Sequence, residues 1–317
     1  MRIGILGTAD IAFRRFLPAL QKCSDITYAG IASRTPEKTV SFTQVYGGKA
    51  YSSYETLLAD ESIDAVYVPL PPALHYEWGE KALKSGKHLL MEKPFTTSLA
   101  ETKKLLSLAK KKKLTVHENY MFLYHNQLEK IKELVANGTL GELRLIRAAF
   151  GFPKRSEDDF RYKKALGGGA LLDCGGYPVR LALELLGETT KVIQAKLQQP
   201  EGYEVDLFGS AVLENEKGLC AQISFGMDNV YKCELEIWGN KSCIFTDRIF
   251  TAPPDFYPSI IFHTKDTVHN ERQNLDDAFA NSICNFIKRS LLSNGQGRNV
   301  QIEKQAELIE ELKEISR

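Results

Sequence analysis

Glu92-Lys93-Pro94 is the tripeptide in this chain best suited to acid–base chemistry. The proline holds the lysine backbone extended rather than helical. An ammonium so placed can polarise a carbonyl and deliver a proton to its oxygen. Taken alone, Lys93 reads sooner as a surface lysine. A second candidate, Tyr177, precedes Pro178 and ends a glycine-rich run, Gly167-Gly168-Gly169 to Asp173-Cys174-Gly175-Gly176. Proline suits a first helical turn, so Tyr177 is expected on the loop ahead of a helix, where a phenol can meet a ligand. Gly7-Thr8-Ala9-Asp10-Ile11-Ala12 opens the chain as G-x-A-x-x-A. Gly7 permits a tight turn, Ala9 lets backbone approach a pyrophosphate, and Ala12 allows close helix–strand packing. Ser33-Arg34 offers a hydroxyl and a guanidinium where an NAD site would carry an acid, which favours the 2′-phosphate of NADP. Arg161 suits a phosphate or an exposed loop equally well.

These groups need strand ends to hold them. Continuous apolar runs at Ile3–Leu6, Tyr28–Ser33, Ala65–Val68, His88–Met91 and Leu114–Val116 read as buried strands. Helical segments lie between them, near 11–22, 36–46, 54–60, 73–84 and 98–113. That alternation predicts a doubly wound parallel sheet over residues 1–120, with the candidate residues at strand C-termini, where such sheets bind ligands. Pro69 to His75 follows one of these strands as a rigid turn, and His75 alone would be a capping or packing histidine. Beyond residue 120 the pattern changes. Helices are expected near 126–136 and 178–186, and strands over Leu143–Phe152, Val192–Gln198, Leu207–Leu213, Leu219–Phe225 and Cys233–Ile237, with a closing helix over Ile302–Ile315. Residues 121–317 therefore read as an α+β domain with a mostly antiparallel, open sheet. Alternation of Leu235 and Ile237 with Glu234 and Glu236 gives that sheet a mixed outer face, from which a homodimer or homotetramer is expected.

The composition narrows the function. Forty-one Lys+Arg balance 40 Asp+Glu, for a net charge of +1. That balance argues against nucleic acid or a membrane surface as partner. Lys110–Lys113 reads as a solvated helix end. No run approaches the ~20 apolar residues of a membrane span, and the chain starts directly on an apolar strand, so a cytoplasmic protein is expected. Six scattered cysteines without a C-x-x-C pair, and six histidines without ligand spacing, predict reduced thiols and no metal site.

Together, Gly7-x-Ala9-x-x-Ala12, the proline-rich loop ending in His75, Glu92-Lys93-Pro94 and the Gly167–Tyr177 segment resemble the glucose-fructose oxidoreductase / inositol dehydrogenase (Gfo/Idh/MocA) family over essentially the whole chain. Tyr177 stands where the polyol dehydrogenases of that family carry histidine. That departure, with Glu118-Asn119-Tyr120-Met121-Phe122 and Asp159-Phe160-Arg161-Tyr162, is similar to the NDP-hexose 3-ketoreductases. The resemblance implies an NADP(H)-dependent oxidoreductase that reduces a keto group of a sugar, nucleotide-linked, with Lys93 and Tyr177 as catalytic residues. It implies substrate contacts from Lys93, Tyr120, Asp173 and Tyr177. Cofactor contacts are expected from Gly7, Thr8, Ala9, Asp10 and Ile11, from Ser33 and Arg34, and from Leu70, Pro71 and His75. Glu92, Lys93, Asn119 and Arg161 complete that set. The alternatives are an NADP-dependent aldose or trans-dihydrodiol dehydrogenase, and a non-catalytic dinucleotide sensor. A sensor needs no proton donor, so Lys93 and Tyr177 favour an enzyme.

Overall fold

The computed structural model describes residues 1–292 and 299–316. The chain divides into two compact units: Met1–Asn119 with Phe279–Glu303, and Tyr120–Ala278 with Lys304–Arg317. The sequence reading assigns everything beyond residue 120 to the second domain. In the structure Phe279–Glu303 groups instead with the first unit, and Phe279, Ile283, Phe286 and Ile287 of that segment are buried.

The first unit is built on six parallel strands: β1 (Arg2–Leu6), β2 (Thr27–Ala32), β3 (Lys49–Tyr51), β4 (Ala65–Val68), β5 (His88–Met91) and β6 (Val116–Glu118). Their order, β3-β2-β1-β4-β5-β6, reverses direction between β1 and β4. The ends of those two strands therefore form the crevice where doubly wound sheets take ligands. Every residue of β4 is buried, as a strand covered on both faces requires. Its helices are α1 (Leu17–Leu20), α2 (Val40–Tyr46), α3 (Tyr54–Leu58), α4 (His75–Lys84), α5 (Leu99–Lys112) and α8 (Ala278–Leu291). Ser53 caps α3 by accepting from the Thr56 amide. Leu57, Leu83, Leu89, Leu105 and Val116 are fully buried in one cluster. Each such side chain contributes roughly 1.5–3 kcal/mol over leaving it in water. Phe16 stacks on Tyr67 at 3.8 Å between centroids. Cys23 and Cys284, far apart in sequence, bring their sulfurs to 2.6 Å in this unit.

The second unit carries an eight-stranded sheet of β7 (Leu143–Gly151), β8 (Lys191–Gln198), β9 (Phe208–Glu214), β10 (Cys220–Gly226), β11 (Lys232–Gly239), β12 (Ser242–Thr246), β13 (Ser259–Thr264) and β14 (Val268–Arg272). Its order is β14-β13-β12-β11-β7-β10-β9-β8, antiparallel except between β7 and β10. Ile146, Ala148, Phe150, Ile223, Leu235 and Ile237 point inward. Glu236, Trp238 and Arg147 occupy the opposite, open face, as period-2 alternation demands. Helices α6 (Asn126–Ala136), α7 (Gly176–Leu186) and most of α9 (Asn299–Ile315) complete the unit. None of the described helices is long and apolar enough to cross a membrane.

Candidate active site

The expected residues fall into two groups, one in each unit. In the first unit the turn after β1 depends on Gly7, whose φ of +110° disfavours a side chain; a Cβ there would meet Leu70 Cδ2 at 2.7 Å. The turn brings Gly7, Thr8 and Ala9 to the open end of the sheet, and the helix that follows starts with a π turn, Ala12–Phe16. Wide turns of this kind recur at functional sites. Asp10 is exposed and paired with Arg14 at 2.7 Å. Ser33 ends β2, with its hydroxyl 3.4 Å from Thr8 Oγ1 and accepting from the Thr35 amide. Arg34 is exposed beside Tyr54. Burial pushes the Tyr54 phenol up, and the Arg34 charge and hydrogen bond oppose that shift. This donor set fits NADP(H). A glycine turn with no room for a side chain opens the crevice, and a hydroxyl and an exposed guanidinium stand at the end of β2, with no acid at either position.

The loops after β4 and β5 are tied together. His75 is fully buried, its Nδ1 2.7 Å from the Pro94 carbonyl and its Nε2 2.7 Å from the Leu70 carbonyl. Two carbonyls favour a protonated ring, but burial, and then the Lys93 charge, outweigh them and hold its pKa down to about 4. The ring is therefore neutral at pH 7: its single N–H donates to one of the two carbonyls, and the ring packs between the two loops. Glu92 accepts from the Tyr67 hydroxyl and the Asn119 side-chain amide, each at 2.7 Å. The Phe95 amide donates to Glu118 at 2.8 Å. Lys93 thus has anchored neighbours on both sides. Glu92 and Asn119, expected on the cofactor, spend these polar atoms on each other.

In the second unit the glycine triplet folds back on the 159–162 turn. The Gly169 amide donates to the Arg161 carbonyl at 2.9 Å, and a Cβ on Gly168 would lie 2.3 Å from that same oxygen. The Arg161 guanidinium meets Asp173 at 2.7 Å and Asp159 at 3.1 Å. Burial works against the Arg161 charge, but the two carboxylates prevail and raise its pKa. Arg161, expected on a phosphate, instead holds the loop bearing Asp173. Asp206 receives the Leu171 amide at 2.7 Å and is raised by burial. The helix carrying Asp173 and Tyr177 also opens with a π turn, Leu171–Gly175.

Tyr177 is the second residue of α7, not a loop residue. Pro178 lies in the first turn of α7, and the π turn before it, Leu171–Gly175, carries the helix back past Tyr177. The Tyr177 ring packs among Tyr120, Phe150, Phe122 and Phe250 at 5.0–5.9 Å. Tyr120 is itself almost fully buried, and its hydroxyl accepts from Gln305 at 3.3 Å. Tyr54, Tyr67, Asp206 and Gln305 escaped the sequence reading, since a lone tyrosine, acid or glutamine carries no spacing signal.

Known proteins place this arrangement. Residues 1–120 match the oxidoreductase family with an NAD-binding Rossmann fold, and residues 128–245 match the GFO/IDH/MocA C-terminal domain. A dTDP-3,4-didehydro-2,6-dideoxy-α-D-glucose 3-reductase of Saccharopolyspora spinosa is 39% identical over 91% of this chain and 87% of its own. The reductase of the same name from Streptomyces violaceoruber is 37% identical over 100% and 95%. The crystal structure of a 3-ketoreductase from Actinomadura kijaniata with NADP and TDP-benzene superposes with a TM-score of 0.96 at 36% identity, covering 99% of this chain and 97% of the other. Variants of that enzyme with a tyrosine changed to phenylalanine and a lysine changed to alanine have also been solved. The family resemblance expected from the motifs is thereby established: this chain belongs to the Gfo/Idh/MocA oxidoreductase family.

Proposed function

We propose that this protein is an NADP(H)-dependent reductase of a nucleotide-linked 3-keto-deoxyhexose, with Lys93 as the proton donor. The observation that carries this reading is the setting of Lys93. It stands at the mouth of β5, held between a Glu92 fixed by Tyr67 and Asn119 and a Pro94 fixed by His75. The relatives named as dTDP-sugar 3-reductases, similar over nine-tenths or more of this chain, support the substrate class.

NADPH, when bound, supplies the hydride. The protein's part is charge and orientation. As the ketone is reduced, negative charge develops on its oxygen; the Lys93 ammonium stabilises that charge and neutralises it by proton transfer. The Tyr177 phenol hydrogen-bonds the substrate, its ring steadied by Tyr120 and Phe150. Arg161 positions Asp173, which orients the sugar. Gly7 to Ile11, Leu70 and Pro71 hold the dinucleotide, and Ser33 and Arg34 read its 2′-phosphate. The open face of the second unit's sheet, mixed in polarity, pairs two copies into a homodimer, or into a homotetramer made of two such dimers.

The test is NADPH oxidation followed at 340 nm with a panel of substrates. Turnover with a dTDP-3-keto-deoxyhexose, well above that with aldoses or dihydrodiols, is the expected result. Efficient oxidation of an aldose with NADP⁺, or tight NADPH binding without turnover on any keto sugar, would replace this reading.

A further inference from the structure

Behind Glu92 a line of buried polar groups runs away from the sheet mouth. Asn119 is 2% exposed, its amide nitrogen 2.7 Å from Glu92 Oε1 and its amide oxygen 2.9 Å from Ser282 Oγ. Ser282, fully buried on α8, also lies 2.9 Å from His117 Nε2. His117 Nδ1 lies 3.5 Å from Arg289 Nη1, and Arg289 donates to the Val116 carbonyl at 3.0 Å. All of these residues belong to the first unit.

The proton inventory gives this line one direction. Arg289 only donates, so its approach to His117 Nδ1 favours the tautomer with the proton on Nε2. His117 Nε2–H therefore donates to Ser282 Oγ. The single Ser282 hydroxyl proton is then left for the Asn119 oxygen. With its oxygen occupied, the Asn119 amide must present its N–H to Glu92. Two donated bonds, from Asn119 and Tyr67, converge on Glu92 Oε1. Hydrogen bonds donated to a carboxylate favour its charged form.

We propose that Ser282 is a positioning residue for the reaction, acting through Asn119 and Glu92 to keep a carboxylate beside Lys93. This rests on the reading of Lys93 as the proton donor. Ser282 of helix α8 lies 163 residues beyond Asn119, and its hydroxyl links that helix to the strand mouth. Without it the Asn119 amide is no longer held at its oxygen, and the bond that it donates to Glu92 loosens. Burial drives Glu92 up, while Asn119, Tyr67 and the Lys93 charge oppose that rise. Loss of the Ser282 link therefore moves its titration to higher pH.

Two readouts test this. The Glu92 carboxyl is titrated by carbon NMR in the apoprotein, and the pH profile of kcat is measured with the keto-sugar substrate, for wild type, Ser282→Ala and Ser282→Thr. Ser282→Ala is expected to raise the Glu92 midpoint by about half a unit, roughly a threefold change in proton affinity. The acid limb of kcat should move up with it, while NADPH binding holds; Ser282→Thr should restore both readouts. If Ser282→Ala fails to fold, Asn119→Leu, of similar volume, goes through the same titrations with a shift of about one unit expected. An unmoved Glu92 midpoint, or a kcat lowered equally at every pH, would overturn the proposal. The NMR titration needs no turnover, so an inactive wild type would count against the reductase reading alone.

Discussion

Arg161 Nε lies 2.7 Å from Asp173 Oδ2, and its Nη1 lies 3.1 and 3.2 Å from the two carboxylate oxygens of Asp159. One guanidinium thus joins the 159–162 turn to the helix that bears Asp173 and Tyr177. All three side chains are largely buried, so removing the cation strands two carboxylates. Arg161→Ala should cost about 1–3 kcal/mol in urea unfolding. In a double-mutant cycle with Asp173→Asn the two losses should be non-additive by at least ~0.5 kcal/mol. Additive losses would mean that the pair does not act as one unit.

Lys93→Met should lower kcat by at least ~10²-fold, the low end for general acid catalysis, with NADPH affinity retained. Tyr177→Phe should cost less and act partly on KM. A phenyl ring keeps the packing against Tyr120 and Phe150, so the substitution tests the hydroxyl alone. Abolished turnover in Tyr177→Phe alongside an active Lys93→Met would exchange the two roles.

Arg34→Ala should weaken NADPH by about one to two orders of magnitude, the loss of a charge-assisted hydrogen bond, and barely affect NADH. Tyr54 lies beside Arg34 and shares a hydrogen bond with it, so Tyr54→Phe should show the same preference in milder form. Equal loss for both nucleotides, measured by fluorescence titration, would remove Arg34 from phosphate recognition.

His75 makes stability depend on pH with a definite sign. Its folded pKa is about 4, below the ordinary histidine value. As pH falls from about 6.5 to 4, the unfolded chain takes up a proton that the folded ring refuses, and stability is lost over that window. Full expression would be about 3 kcal/mol. Burial lowers His88 and His125 as well, which adds to the same slope. His75→Gln should flatten the change between urea unfolding at pH 7 and at pH 5; an unaltered slope would place its origin elsewhere.

The open sheet face bears Arg147, Glu236 and Trp238 in contact, with the Arg147 guanidinium 4.6 Å from the Trp238 ring. Light scattering at micromolar concentration should give two or four times the chain mass, and Trp238→Asp should lower it. A strictly monomeric wild type would end the homodimer proposal.

Much of the first unit was legible because its strands are unbroken apolar runs, as buried parallel strands must be. His88–Met91 was read to the residue, and with it the position of Lys93 at a strand end. The edge strands β3 and β14 were not. β3 has three residues, and β14, Val268–Arg272, exposes four of its five, so neither shows a period. Helix α8 does show helical spacing in Phe279, Ile283, Phe286 and Ile287, all buried. The signal was present, but the surface it covers is formed by β6, more than 150 residues earlier. Ser282 was invisible for the same reason. The placement of Tyr177 failed differently: a rule about proline at helix starts was overridden by a π turn that no residue pattern announces.

The first unit is completed by Phe279–Glu303. During synthesis the six strands of its sheet emerge well before α8, whose Ser282 and Arg289 belong to the layer over β6. A nascent chain of 120 residues thus holds the whole parallel sheet with His117 still uncovered. Domains usually complete in order from the N-terminus; here the dinucleotide half must wait for nearly the whole polypeptide. A ribosome stalled between about residue 120 and residue 280 would display the whole parallel sheet without the α8 residues that bond to β6.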